Sequence, residues 1–128
     1  MFDISKKTDY GMELMVQLAK NYGRGYISLK EVAKERKLPL KFLEQIAGEL
    51  REAELIKAKE GKGGGYVLVR SPKKISVAEV TEVLEGPVMG GCAGCPSAAI
   101  CGHQEVWEEV GDKVLATMKG KSLADLTK

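Results

Sequence analysis

Between Ser28 and Ala53 two stretches of helical periodicity are separated only by Leu38-Pro39, so two helices must meet across a very short turn. Ser28-Leu-Lys-Glu31 reads as a capping box, in which the serine hydroxyl and the glutamate carboxylate each satisfy an otherwise orphaned backbone N–H. It opens a short helix burying Leu29, Val32 and Ala33. Pro39 suits the first position of the next helix, where its missing N–H is not needed, and Leu40, Leu43, Ile46, Ala47 and Leu50 form a buried stripe running to about Ala53. Upstream, Met12, Met15, Val16, Leu18 and Ala19 recur at three- and four-residue spacing and predict a helix from Thr8 to about Tyr22, ended by Gly23 and Gly25.

Beyond Ala53 the pattern changes period. Leu55 to Lys59 and Tyr66 to Arg70 are short β-prone runs flanking Gly61-Lys-Gly-Gly-Gly65, which predicts a hairpin with a basic loop almost bare of side chains. Ser76-Val-Ala-Glu79 is a second capping box, and its helix runs through Leu84 to Gly86 and Pro87. A cysteine-bearing loop follows. Val106, Trp107, Val110, Val114, Leu115 and Met118 then trace a last long helix of about 15 residues, with Ser122 capping a final turn. The fold class is mainly α with one small β-hairpin. Residues 1–75 form a winged helix-turn-helix region, and 76–128 a linker helix, a cysteine loop and a C-terminal helix of one compact chain. The 128 residues suit one hydrophobic core rather than two.

Charge divides the chain at the same place. Residues 1–75 carry 16 Lys/Arg against 10 Asp/Glu, a net +6, while residues 76–128 carry 4 against 8, a net −4. The basic half is the one with the helix pair and hairpin, the order of a winged helix-turn-helix whose third helix enters a DNA major groove. Lys41, Glu44 and Gln45 lie near the start of that helix and off its apolar stripe. A glutamine pairs bidentately with adenine, and a carboxylate accepts from cytosine N4. Lys59, Lys62 and the backbone of Gly63, Gly64 and Gly65 would reach phosphates or a minor groove from the hairpin. A phosphate-binding P-loop is excluded, because no Gly-Lys-Ser/Thr leads from a strand into a helix.

Cys92-Ala-Gly-Cys95-Pro-Ser-Ala-Ala-Ile-Cys101 places three thiols within ten residues, with the only histidine, His103, two residues on. The C-x2-C pair lets two thiolates bind one metal centre from a single tight loop, and an odd number of clustered cysteines argues against a disulfide framework. On spacing and residue type both an iron-sulfur cluster and a Cys3His zinc site are open. Catalysis is not indicated. No Ser/His/Asp set is available, and Cys101 with His103 is more simply read as ligation, given the two further cysteines beside it. No run of about 18 to 20 apolar residues exists, and the start lacks the apolar core of a signal peptide, so the expectation is a cytoplasmic protein without a membrane partner.

Taken together, the chain resembles the IscR-type family of bacterial transcription regulators over nearly its full length. The resemblance rests on Lys7-Thr-Asp-Tyr10, Leu40-Lys-Phe-Leu-Glu-Gln-Ile46, Gly63-Gly-Gly-Tyr66, Val77-Ala-Glu-Val80, and three cysteines with Trp107 six residues after the last. It implies a homodimeric, cytoplasmic winged helix-turn-helix repressor that binds an imperfectly palindromic operator in double-stranded DNA. The stripe Val106, Trp107, Val110, Val114, Leu115 and Met118 would pair the two chains. Base reading would fall to Lys41, Glu44 and Gln45, and wing contacts to Lys59, Lys62, Gly63, Gly64, Gly65 and Tyr66. Cys92, Cys95 and Cys101 would hold a 2Fe-2S cluster, ahead of 4Fe-4S, whose state changes operator affinity and so controls iron-sulfur biogenesis genes. His103 would be the fourth ligand, with Asp9 of the partner subunit as the alternative.

Three positions depart from the family pattern. Only two residues separate the first two cysteines, where cluster-binding relatives have a longer gap. Gln104 stands where a histidine completes the site in the IscR subgroup. Glu60 stands in the wing where an arginine is common. Nitric-oxide or redox sensing within the same family, a small iron-sulfur redox carrier, and a zinc-stabilised DNA-binding protein are the competing functions; the helix pair and wing, which an electron carrier does not need, count against the carrier.

Overall fold

The structure, a computed structural model, describes residues 4–87 and 102–127. Helix α1 spans Lys6–Lys20, with the hydroxyl of Ser5 accepting from Thr8 N–H. It begins two residues before the expected Thr8 because a serine cap is available there, and hydroxyl caps satisfy an N–H that the first turn cannot. Helix α2 spans Leu29–Arg36; Ser28 accepts from Glu31 N–H, the hydroxyl half of the expected box. Helix α3 spans Leu40–Glu52. Pro39 is its N-cap, in extended backbone, rather than its first helical residue. Lys37, in the left-handed conformation at φ 56°, reverses the chain between the two helices.

Strand β1 (Ile56–Lys59) pairs antiparallel with β2 (Gly65–Leu68), in the register Ile56 to Leu68 and Lys59 to Gly65. Tyr66 also bridges Ile27, each N–H donating to the other's carbonyl, so the segment before α2 adds a third edge to the wing. The second strand begins one residue earlier than its β-prone run and ends at Leu68. A 3-10 turn at Pro72–Lys74, which no sequence signal announced, then leads into α4 (Val77–Glu85). Ser76 and Glu79 make both halves of the predicted box, and Gly86 closes the helix at φ 84°.

Helices α5 (Gln104–Lys119) and α6 (Leu123–Leu126) complete the chain. Among the described residues one core joins every helix but α5 to the hairpin: Leu14, Met15 and Leu18 of α1, Val32 of α2, Leu43, Ile46 and Leu50 of α3, Ile56 and Leu68 of the hairpin, Ile75, Val80 and Leu84, and Leu123 of α6. The buried stripe of α1 differs from the expected one. Thr8, Gly11, Leu14, Met15, Leu18 and Ala19 face inward, whereas Met12 and Val16 are half-exposed. The stripe is rotated because α4 crosses α1 at Gly11, where even a methyl group would sit 2.3 Å from Leu84 Cδ1. Threonine and glycine carry no hydropathy signal, so the pattern alone centres the face too far round.

Candidate nucleic-acid interface

The core-facing residues of α3 are Leu43, Ile46, Ala47 and Leu50. Lys41, Glu44 and Gln45 all lie on its exposed side, with Gly48 one turn further along the same row and open space where its side chain would be. Positions 41, 44, 45 and 48 repeat at the three- and four-residue spacing of one helical face. The face is therefore polar, among the described residues its side chains make no hydrogen bond or ion pair, and at Gly48 a partner can approach the backbone closely.

Beside it stands the wing. Lys59, Lys62 and Gly63 are exposed, and Gly61 and Gly63 take positive φ values of 91° and 78° to turn the tip. Gly64 N–H donates to Gly61 carbonyl at 3.1 Å to close the turn. Gly64, Gly65 and Tyr66 are half-buried at the base of the wing. A side chain at Gly65, whose φ is 142°, would begin 2.3 Å from the Ile27 carbonyl oxygen, so this glycine serves the close approach of two backbones. Tyr66 packs against the core while its backbone bridges Ile27.

Between wing and helix pair lies an open groove of about 410 Å³, lined by Ser28, Lys30, Glu44, Lys59 and the glycine backbone of the wing among others. Lys59 Nζ is 5.7 Å from the centroid of the Tyr26 ring, which holds the ammonium beside the groove by cation–π attraction. Lys30, Tyr26 and Gly48 thus join this surface without any sequence motif to mark them. Only the helical row beginning at Lys41 would have pointed to Gly48; Lys30 and Tyr26 arrive because the segment leading into α2 bridges the wing at Ile27 and Tyr66.

The predicted thiolate ligands Cys92, Cys95 and Cys101 lie outside the described residues. Among the described residues no group of three or more His, Cys, Asp or Glu is placed to hold a metal ion. Asp9 is exposed on the first turn of α1. His103 is the N-cap residue of α5, and its Nδ1 accepts from Trp107 Nε1–H at 2.9 Å. A neutral imidazole that accepts at Nδ1 carries its proton on Nε2, so ligation through Nε2 requires this hydrogen bond to be surrendered. By donor type, three thiols fit a thiolate-bound cluster and fit zinc equally well.

The last helix shows a different surface. Trp107, Val110, Val114, Leu115 and Met118 form a half-exposed row on α5, Val106 is 56% exposed, and no residue of this helix is fully buried. Among the described residues no helix is long and apolar enough to cross a membrane.

The family profile described as Rrf2, iron-dependent transcriptional regulator, matches residues 4–128. The HTH-type transcriptional regulator CymR of Bacillus subtilis is 35% identical over 127 residues, covering 96% of this chain and 88% of that protein. The solved structure of CymR, described as the global cysteine regulator of B. subtilis, superposes with a TM-score of 0.84 at 36% identity, covering 99% of this chain and 97% of that one. That of IscR from T. potens superposes with a TM-score of 0.83 at 34% identity, covering 98% and 85%.

Proposed function

Because this chain belongs to the Rrf2 family of winged-helix transcriptional regulators, we propose that it is a homodimeric repressor that reads an imperfect palindrome through α3 and the wing. It is a DNA-binding regulator and not an enzyme. The observation that carries the proposal is the outward row Lys41, Glu44 and Gln45, exposed beside a groove walled by Lys30 and Lys59. The row supplies donors and acceptors for base edges, and the lysines and wing backbone supply phosphate contacts that set register. Two copies paired through the α5 row would present two α3 helices to successive major grooves.

The regulatory part of the proposal is that Cys92, Cys95 and Cys101 hold an iron-sulfur cluster, 2Fe-2S ahead of 4Fe-4S, with His103 or Asp9 of the partner subunit completing the set. Three thiols inside ten residues, directly ahead of the pairing helix, support it. When bound, such a cluster supplies a centre sensitive to iron supply, oxygen and nitric oxide. The chain's own part is to let the cysteine loop bias how the α5 helices pair, and thereby how the α3 helices are spaced. Tenfold regulation needs a difference of only about 1.4 kcal/mol between the two states. Genes for iron-sulfur assembly are the proposed targets.

Similarity to the B. subtilis cysteine regulator favours a second reading, in which the same thiols sense redox state directly or hold zinc. Iron, zinc and acid-labile sulfide are to be measured per chain in protein purified without air, together with the absorption spectrum. Equal iron and sulfide is the expected result. Zinc without sulfide, or no metal, would overturn the cluster in favour of the second reading and leave the DNA-binding assignment standing.

A further inference from the structure

A two-stranded hairpin has little stability of its own, so the attitude of the wing is set by whatever its ends are fastened to. At one end β1 follows α3 almost directly, with Leu55 N–H donating to Leu50 carbonyl at 3.0 Å. In the middle, Tyr66 bridges Ile27. At the other end the chain leaves β2 through Arg70, whose Nη2 donates to Glu79 Oε2 at 2.6 Å. The Nε of Arg70 is buried without a hydrogen-bond partner among the described residues, so the guanidinium is aimed by this contact to Glu79.

Glu79 is held on its far side as well. Its Oε1 accepts from Ser76 N–H at 3.3 Å, and its own N–H donates to Ser76 Oγ at 3.1 Å. The strip around Ser76 is in turn clamped by the end of the chain, where Val77 N–H donates to Lys121 carbonyl at 2.8 Å and Leu123 N–H donates to Ile75 carbonyl at 2.9 Å. One carboxylate therefore joins the exit of the wing to the start of α4 and to the segment that closes α5. A helix cap needs only one of its oxygens; the other is left for the wing.

From this we infer that Glu79 is a positioning residue for DNA binding: acting through Arg70, it fixes the tilt of the wing and ties that tilt to the C-terminal half of the chain. The inference rests on the proposed contact between wing and DNA, but not on any cluster. With the pair broken, the wing keeps its Tyr66–Ile27 bridge and turns about it, so the base contacts of α3 persist while those of the wing tip are lost.

The test uses the chain of 128 residues and a duplex that it selects from random-sequence DNA. Hydroxyl-radical footprints of the wild type are expected to show both the α3 contacts and flanking wing contacts. Arg70→Ala and Glu79→Gln should each abolish the wing protections, keep those of α3, and weaken binding about two- to fivefold, the scale of one partly exposed ion pair. The amide in Glu79→Gln retains an oxygen for the cap, so that variant should unfold as the wild type does, and Arg70→Lys should restore part of the wing footprint. Ser76→Ala, which removes the cap hydroxyl and leaves the ion pair, should lower thermal stability with the footprint intact. Wing protections that survive in both Arg70→Ala and Glu79→Gln overturn the inference. A wild-type footprint with no wing protections overturns the wing contact beneath it.

Discussion

Gly65 illustrates how much a single position can decide. Its φ of 142° lies in the region that only glycine occupies readily, and a methyl group there would meet the Ile27 carbonyl at 2.3 Å. Flexible loops accept glycine for freedom; here the requirement is contact between two backbones at the root of the wing. Gly65→Ala is expected to destabilise the fold by about 2 to 4 kcal/mol, through strain together with loss of the Tyr66–Ile27 bridge, as read from urea unfolding. The same reasoning separates the residues of the wing motif. Lys62 and Gly63 stand at the exposed tip, whereas Gly65 and Tyr66 hold the base together. A run of three glycines followed by tyrosine reads in the sequence as one unit, and only the three-dimensional arrangement divides it into two tasks.

At the scale of elements, α3 and α5 are both amphipathic, but their apolar faces meet different fates. That of α3 is covered by α1, α2, α4 and the hairpin, which leaves its polar row outward and available. That of α5 packs against α4, and among the described residues its row from Trp107 to Met118 remains half-exposed. Periodicity marks both faces equally, since it records the existence of a stripe and not what covers it. A second copy is the proposed cover. Val110→Glu or Val114→Glu, which places a charge in the middle of that row, is expected to give a folded monomer by sedimentation velocity. Its operator affinity should fall about a hundredfold or more, because one half-site then binds without the other.

Across the whole molecule, the start of α1 and the end of α4 are fastened together by one carboxylate. Thr8 Oγ1 donates to Glu85 Oε1 at 2.6 Å, and Ser5 Oγ donates to the same oxygen. These hydrogen bonds, that from Ser5 first, draw the Glu85 pKa below its ordinary value of 4.5. A carboxylate whose pKa is lower in the folded state stabilises the fold above its unfolded value, and gives that stabilisation up as pH falls through the folded one. The gap in urea midpoint between wild type and Glu85→Gln should therefore be widest above pH 4.5 and narrow progressively below it. Equal gaps at pH 7 and pH 3 would show that the ionised form has no advantage in this contact.

Helix positions, the tight join at Pro39, the hairpin, the Ser76 box and the polar row of α3 are all legible along the chain, because each depends on neighbours within about four residues. The inward face of α1 is legible only in part: Leu14 and Gly11 belong to it and Val16 does not, since the approach of α4 at Gly11 sets its centre. The groove between Lys30 and Lys59, the bridge from Tyr66 to Ile27, the contact of Arg70 with Glu79, and that of Thr8 with Glu85 leave no trace in any local pattern. Those contacts join residues far apart in sequence or brought together by several elements at once. Their partners are chosen by how the helices cross and where the hairpin leans, which is settled when the shared core packs. Local order along the chain thus specifies the elements and the chemistry each one carries, and packing of the common core specifies which of those chemistries face one another.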